Sequence, residues 1–129
     1  MRISEIATVL AWHDALNDSD IETLLELSSD DIEIGGAEGA AQGLTALREW
    51  AATGAGAGLT LVPGRMFVHD GVVVVEEQLS RASTAGESRT VGTSFRVVHD
   101  QVTAVFRHDT LESALEATDL TEKDLVTDV

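Results

Sequence analysis

The chain has 129 residues, a length typical of one domain, and it can bury a hydrophobic core without a structural metal or disulfides. It has no cysteine, which excludes disulfides, thiolate nucleophiles and cysteine-ligated zinc. Eight Lys and Arg residues against 23 Asp and Glu residues give a formal net charge of −15. This charge repels nucleic-acid backbones and anionic lipid surfaces, so neither is expected as a partner.

The first ten residues, MRISEIATVL, lack the features of a targeting signal. They carry Glu5 and no long apolar run, which indicates the start of a helix rather than a signal peptide. No segment approaches the roughly 18 uninterrupted apolar residues that a membrane span needs. We therefore expect a cytoplasmic protein.

Two helices are predicted at the start of the chain. Residues 4–17 place apolar side chains, together with His13, at helical spacing, and Asn17 ends the run. The next four residues have the form of a capping box, in which Ser19 is followed three positions later by Glu22. Ser19 is therefore the predicted cap of a short second helix.

A strand and a third helix follow. Residues 31–34 alternate with period two, which predicts a short strand, and the glycines at 35, 36 and 39 predict a loop. Residues 44–53 predict a helix with Gly54 as its C-terminal cap. The stretch GAGAG at 54–58 predicts a flexible connection.

The second half of the chain predicts two β-hairpins and a final helix. Segments 59–69 and 72–82 flank Asp70-Gly71, which is the strongest short signal for a hairpin turn. Segments 90–99 and 102–108 flank Asp100-Gln101, a weaker turn pair, and residues 83–88 join the two hairpins. A cap at 109–112 then opens a short helix.

This order of elements predicts an α+β fold. A curved antiparallel sheet is expected to wrap around three N-terminal helices, with a short C-terminal helix, so that the molecule is cone-shaped. The mouth of the cone is the predicted pocket. The predicted domain spans residues 1–118, and residues 119–129, acidic and poor in apolar side chains, are the predicted C-terminal tail.

Three local stretches resemble motifs of one known superfamily. Residues 12–20, WHDALNDSD, resemble an opening of an aromatic residue, a small helix and N-x-x-D. Residues 27–33, LSSDDIE, resemble the entry to a first strand, and residues 42–50, QGLTALREW, resemble a G-x-x-A-I-R-E-aromatic helix. The three motifs occur in this order and are followed by a predicted antiparallel meander. For this reason the chain resembles the nuclear transport factor 2-like superfamily over residues 4–117, in particular its SnoaL-like and ketosteroid-isomerase-like branch.

The resemblance implies a SnoaL-like, cystatin-like cone with an apolar cavity and frequent dimers through the outer face of the sheet. Members of the superfamily include isomerases, cyclases, dehydratases, epoxide hydrolases and non-catalytic binding domains, so the fold alone assigns no activity. Trp12 stands where the isomerase-like branch carries an oxyanion-binding tyrosine. The positions of that branch's two acids fall near Gly35-Gly36 and Gly92-Thr93, where no carboxylate stands, and ketosteroid isomerase chemistry is not expected.

The hairpin turns predict which side chains face the cavity. A two-residue turn at 70–71 puts three pairs on the more apolar, concave face: Val68/Val73, Met66/Val75 and Gly64/Glu77. Arg65 and Glu76 then form an ion pair on the opposite face. The same register about residues 100–101 turns three further pairs inward, Val97/Ala104, Phe95/Phe106 and Thr93/His108, and leaves Ser94/Arg107 on the opposite face.

A small inward polar set follows from this register. An imidazole and a carboxyl group in an apolar cavity suit general acid–base chemistry, so the candidate catalytic residues are His108 or Glu77 as base and His13 as polariser. The candidate ligand-binding residues are Trp12, Trp50, Met66, Thr93, Phe95 and Phe106. The four histidines lack metal-ligand spacing, and no metal or other cofactor is expected.

Structural interpretations of the same residues stay open. A histidine on an apolar helix face is usually a hydrogen-bonded core residue, and a histidine partner would also account for a buried Glu77. His108 also fits a strand-end cap, and Trp12 and Trp50 also fit the core.

Two functions are therefore predicted side by side. The first is a protein that binds an apolar small molecule and performs an isomerisation, cyclisation or hydration on it. The second is a non-catalytic ligand-binding or dimeric interaction domain. A homodimer through the convex sheet face is expected in either case, since Phe67 and Val74 are predicted to be exposed there.

Overall fold

The computed structural model describes residues 2–36, 39–52, 58–81 and 87–126. These ranges hold α1 (Arg2–Asn17), α2 (Ile21–Glu26), β1 (Ser28–Gly36), β2 (Gly39–Gln42), α3 (Leu44–Ala52), β3 (Leu59–His69), β4 (Val72–Arg81), β5 (Ser88–Val98), β6 (Gln101–His108) and α4 (Leu111–Thr118). The strands form one curved sheet in the order β2-β1-β6-β5-β4-β3, and the predicted α+β class is confirmed. The predicted cap at Gly54, residues 54–57 of GAGAG and residues 83–86 lie outside the described residues.

The sheet contains one strand and one pairing that the sequence did not predict. β2 pairs antiparallel with β1, so the glycines at 35, 36 and 39 lie in strands rather than in a loop. β1 also pairs with β6, and this pairing is parallel, whereas the pairings from β3 to β6 are antiparallel. The β2 sequence, GAAQ, has no β-branched or aromatic residue, so it carries no composition signal for a strand.

The main hydrophobic core lies between the concave face of the sheet and the first three helices. It includes Val9, Leu24, Leu47, Val75 and Phe95, all at most 1% exposed. The side-chain amide of Asn17 at the end of α1 donates to the carbonyl of Leu61 at 2.8 Å and accepts from the amide of Leu61 at 2.9 Å. This pair of hydrogen bonds fixes the end of α1 on β3.

The cap of the second helix differs from the prediction by one residue. Asp20, not Ser19, accepts a hydrogen bond from the amide of Thr23. Ser19 instead has a φ of 57°, a left-handed conformation in the turn that leaves α1. An aspartate is as good a cap as a serine, and the turn geometry decides between them.

The convex face of the sheet is partly covered by α4. Phe67 and Val74 are 2% and 0% exposed and pack with Leu111, Ala114 and Leu120. The prediction that Phe67 and Val74 are exposed is therefore wrong. Their exposure was the reason given for the expected dimer, so it no longer supports one. Gly92 allows the close approach of α4, since a Cβ at this position would lie 2.7 Å from the Cα of Leu111.

The segment after α4 continues along the same face and reaches the edge strand β3. Leu125 forms an isolated bridge with Phe67, and the amide of Val126 donates to the carbonyl of Met66 at 2.8 Å. The division of the chain at residue 118 stays a prediction. Among the described residues, no helix combines the length and the apolar character that a bilayer crossing requires.

Candidate functional site

The first hairpin has the turn that its sequence predicts. Asp70 and Gly71 both have positive φ, 48° and 79°, and the pairs Val68/Val73 and Met66/Val75 are confirmed. A bulge follows, so Glu77 pairs with Pro63 rather than with Gly64. Glu77 still faces inward and is 0% exposed, because the inward alternation of β4 is unbroken.

The predicted ion pair on the opposite face is also confirmed. Arg65 Nε and Nη2 donate to the two carboxylate oxygens of Glu76 at 3.0 and 2.9 Å. These hydrogen bonds lower the pKa of the Glu76 carboxyl below its usual value and raise the pKa of Arg65. Adjacent glutamates of β4 therefore have opposite environments, one at the surface and one in the core.

The second hairpin turns one residue earlier than predicted. His99 and Asp100 have positive φ, 51° and 62°, and Val98 pairs with Gln101 across them. A bulge in β6 then changes the register between the Val97/Val102 and Arg96/Ala104 pairs. The two changes combine to shift the remaining pairing by one residue from the prediction.

This shift exchanges the two faces of β6. Thr93 lies opposite Arg107, while Gly92 lies opposite His108 and Ser94 opposite Phe106. The predictions that His108 and Phe106 face the interior are therefore wrong, since both lie on the convex side. Arg107, predicted to face outward, lies on the concave face instead.

Three predicted site residues do meet, in a buried hydrogen-bond network. His13 Nε2 lies 2.5 Å from Glu77 Oε2, and the Thr93 hydroxyl donates to Glu77 Oε1 at 2.6 Å. His13 Nδ1 lies 2.7 Å from the carbonyl oxygen of Val9, one helical turn earlier. We call His13, Glu77 and Thr93 the core network; each side chain belongs to a residue at most 1% exposed.

The partners of His13 determine how many protons the core network holds. The Val9 carbonyl can only accept, so Nδ1 carries a hydrogen. One further proton lies between Nε2 and Glu77 Oε2, either as imidazolium with carboxylate or as imidazole with carboxylic acid. The pair has no net charge in either form, which suits a site without water contact.

Other predicted ligand-binding residues belong to the core. Met66 is buried with the concave-face residues, and Phe95 packs edge-on against Trp12 with ring centroids 5.5 Å apart. Trp12 Nε1 donates to the Ser28 hydroxyl at 3.1 Å, so its polar atom is satisfied inside the protein. Their predicted contact with a ligand stays a prediction.

Trp50 differs from these residues because it is half-buried and lines an opening. The opening, here named the mouth cavity, has a volume of about 540 Å³ at the end of the sheet opposite the two hairpin turns. Its lining consists of Ile34, Gly35, Gly36, Gly39, Ala40, Ala41, Trp50, Arg81, Arg89, Val105, Arg107 and Asp109.

The arginines of the mouth cavity were missed at the sequence level. Arg81 continues the inward alternation of Glu77 and Leu79 in β4, and Arg89 pairs with Leu79, so alternation could have identified both. The inward position of Arg107 could not be predicted in this way, because the bulge in β6 interrupts the alternation of that strand. Burial lowers the pKa of Arg107, and the positive charges of Arg81 and Arg89 lower it further, while Glu77 acts in the opposite direction.

The mouth cavity and the core network offer no grouping of metal ligands. Among the described residues, no three His, Asp or Glu side chains are placed to hold a metal ion. The chemistry available at the site is therefore that of guanidinium groups, the Asp109 carboxylate, one indole and backbone atoms at the opening, with the imidazole–carboxyl pair of the core network in the adjacent interior.

Comparisons with known proteins identify the family and the fold of the chain. The model of the SnoaL-like domain matches residues 9–108. None of the curated proteins matches the chain.

Three solved structures illustrate the likeness of fold. An NTF2-like protein of unknown function from Cytophaga hutchinsonii is 13% identical, with a TM-score of 0.72 over 86% of this chain and 94% of that one. A candidate polyketide cyclase from Sinorhizobium meliloti is 22% identical (TM-score 0.68, 78% and 93% covered). An LEH-like epoxide hydrolase from M. tuberculosis is 18% identical (TM-score 0.70, 91% and 93% covered).

Proposed function

Because the chain belongs to the family of SnoaL-like domains, we propose that it binds a small organic molecule in the mouth cavity. The observation that carries the proposal is the opening of about 540 Å³ whose wall includes Trp50, Ile34 and Val105. Ligand sites are usually concave, largely apolar and between about 300 and 1,000 Å³ in volume. A molecule with an apolar body fits this opening.

An acid–base step on the bound molecule is the second candidate function, and one observation favours it. His13 and Glu77 hold a proton between them across 2.5 Å, and Thr93, which donates to Glu77, lies directly opposite Arg107 of the mouth cavity. An isomerisation, cyclisation or hydration would use such a proton. The fold neighbours described as a candidate cyclase and an epoxide hydrolase are consistent with chemistry of this class.

The bonding of the core network nevertheless favours binding without catalysis. Both ring nitrogens of His13 and both carboxyl oxygens of Glu77 have partners inside the protein. A general acid or base must come within hydrogen-bond distance of its substrate, and neither residue belongs to the described lining of the mouth cavity. His108, on the convex face, is not placed to act on a molecule held there.

The binding proposal can be tested by filling the cavity. Ala41 lies on the same face as Ile34, at the exposed strand β2, so Ala41→Phe should occupy the opening without disturbing the core. Gln42→Phe places the same ring on the other face of β2 as a matched control. The uniformly ¹⁵N-labelled full chain is screened by NMR against a library of small aromatic and alicyclic compounds.

We expect compounds that shift the backbone amides of Ile34, Val105 and Arg107 in the wild type and in Gln42→Phe, but not in Ala41→Phe. If every compound that binds does so equally in Ala41→Phe, the cavity is not the binding site. Glu77→Gln separates the two candidates once a ligand is known. The wild type converts the ligand only under the second candidate, and Glu77→Gln should then keep binding but lose the conversion if Glu77 is the acid or base.

We propose that the protein is cytoplasmic and that it forms a homodimer through the convex face. The part of that face that α4 leaves uncovered includes Ala104 and Phe106, both half-buried.

A further inference from the structure

The mouth cavity is basic in a strongly acidic protein. Three of the eight Lys and Arg residues of the chain line it, and they are Arg81, Arg89 and Arg107. Asp109 is the one acidic residue in its described lining. The opening therefore has a charge opposite in sign to the net charge of −15 of the whole chain.

The fold places these three guanidinium groups together. Arg81, Arg89 and Arg107 belong to the adjacent strands β4, β5 and β6, and each occupies a concave-face position near the same end of the sheet. Like charges in a partly buried site repel one another. This repulsion contributes, after burial, to the lowered pKa of Arg107. An anion in the opening would relieve it.

Arg107 also has a donor without an acceptor. Its Nε is buried and has no hydrogen-bond partner among the described residues. Buried donors are almost always paired in folded proteins, so an unpaired one indicates a missing partner. A guanidinium group presents its donors as a planar fork that matches the two oxygens of a carboxylate or phosphate.

We propose that the ligand of the mouth cavity is an organic anion, with a carboxylate or phosphate group held by Arg107 and Arg89 and an apolar body against Trp50. This inference rests on the proposed binding function and adds the charge of the ligand to it. Arg81 contributes its positive charge to the same opening.

Three probes that share a naphthyl ring and differ in charge test the inference. The ¹⁵N-labelled full chain is titrated with 1-naphthoate, 1-naphthyl phosphate and the neutral 1-naphthamide. We expect the two anions to shift the amides of Gly36, Ala41 and Val105 with dissociation constants at least about tenfold lower than that of 1-naphthamide. Raising the salt concentration about tenfold should weaken the anions and leave 1-naphthamide unchanged. The tighter of the two anions identifies the preferred acidic group.

Variants then assign the effect to the fork. Arg107→Met should weaken 1-naphthoate by about tenfold or more, and Arg107→Lys should weaken it less because it keeps the charge but loses the fork. Arg96→Met, on the convex face, makes the same change in net charge as a matched control and should bind as the wild type does. Arg89→Met at an exposed position provides a second variant should Arg107→Met fail to fold.

The outcomes separate this inference from the function on which it rests. If 1-naphthamide binds at the same amides as tightly as the anions, the preference for an anion is overturned and binding in the cavity stands. If Arg107→Met and Arg96→Met weaken the binding of 1-naphthoate equally, the guanidinium group of Arg107 is not the cause of the preference for an anion. If none of the three probes shifts these amides, the inference is overturned, and the binding function is then decided by the library screen with Ala41→Phe.

Discussion

The core network and the mouth cavity lie side by side on the concave face, yet they differ in how completely their polar groups are paired. Thr93 of the core network is the direct strand partner of Arg107 in the mouth cavity. In the core network each donor meets an acceptor, and the His13–Glu77 pair has no net charge. In the mouth cavity the buried Nε of Arg107 has no hydrogen-bond partner within the described part of the chain, and two further arginines line the same opening. Matched polar groups indicate a structural role, whereas unmatched ones indicate a place for a ligand.

The largest expected effect is the loss of stability when the core network is broken. Glu77→Met leaves His13 Nε2 and the Thr93 hydroxyl without partners in the core, and we expect a loss of about 3 kcal/mol in the free energy of unfolding. Glu77→Gln can donate to His13 Nε2 and accept from Thr93, so its loss should stay within about 1 kcal/mol. Urea denaturation followed by tryptophan fluorescence measures both values.

The neighbouring glutamate provides the control for this comparison. Glu76→Met removes the same functional group one residue earlier, on the exposed face, and should lose much less stability than Glu77→Met. Equal losses in Glu77→Met and Glu77→Gln would mean that charge, rather than hydrogen bonding, stabilises the site. That result would remove the contrast between the two regions.

A smaller effect of the opposite sign is expected in the mouth cavity. Arg107→Met removes a partly buried charge and an unpaired donor, so the free energy of unfolding should stay unchanged or rise by about 1 kcal/mol in the absence of ligand. Thermal and urea denaturation beside Arg96→Met measure the difference. A loss of more than about 1.5 kcal/mol would show that Arg107 is a structural partner of Glu77, and the mouth cavity would then resemble the core network.

The smallest effect concerns the Arg65–Glu76 pair outside both regions, and its pH dependence has a definite sign. The hydrogen bonds from Arg65 lower the pKa of Glu76 in the folded state below its ordinary value of 4.5. The stability that this pair contributes is therefore present above pH 4.5 and is lost as the pH falls through the lower, folded-state value. Glu76→Gln should be slightly less stable than the wild type at neutral pH and equal to it in acid. A difference that remains constant across this range would contradict the assignment.

The inward position of Glu77 could be predicted, whereas that of Arg107 could not, and the two strands show why. In β4 the buried residues 73, 75, 77 and 79 alternate without interruption, so a single reliable turn at Asp70-Gly71 sets the face of each. In β6 the bulge after Val102 inserts one residue into the alternation. A bulge changes local pairing and leaves no fixed mark in composition, so the sequence did not reveal it.

The other differences have local causes of the same kind. The second turn uses His99 and Asp100 in left-handed conformations, although neither residue is a glycine. β2 is an exposed edge strand of small residues, whereas the glycines in and before it predicted a loop. The three N-terminal motifs and the Asp70-Gly71 turn were sufficient for the fold class, because that class depends on element order rather than on register.

The bulge in β6 has a consequence for how residues are matched between proteins of this shape. One residue more or less at this point exchanges the guanidinium of Arg107 for the imidazole of His108 on the interior wall, without any substitution in the strand. Two relatives can thus hold different chemistry in one opening while their aligned letters agree. An aligned column after the bulge identifies equivalent side chains only where both proteins carry the same inserted residue.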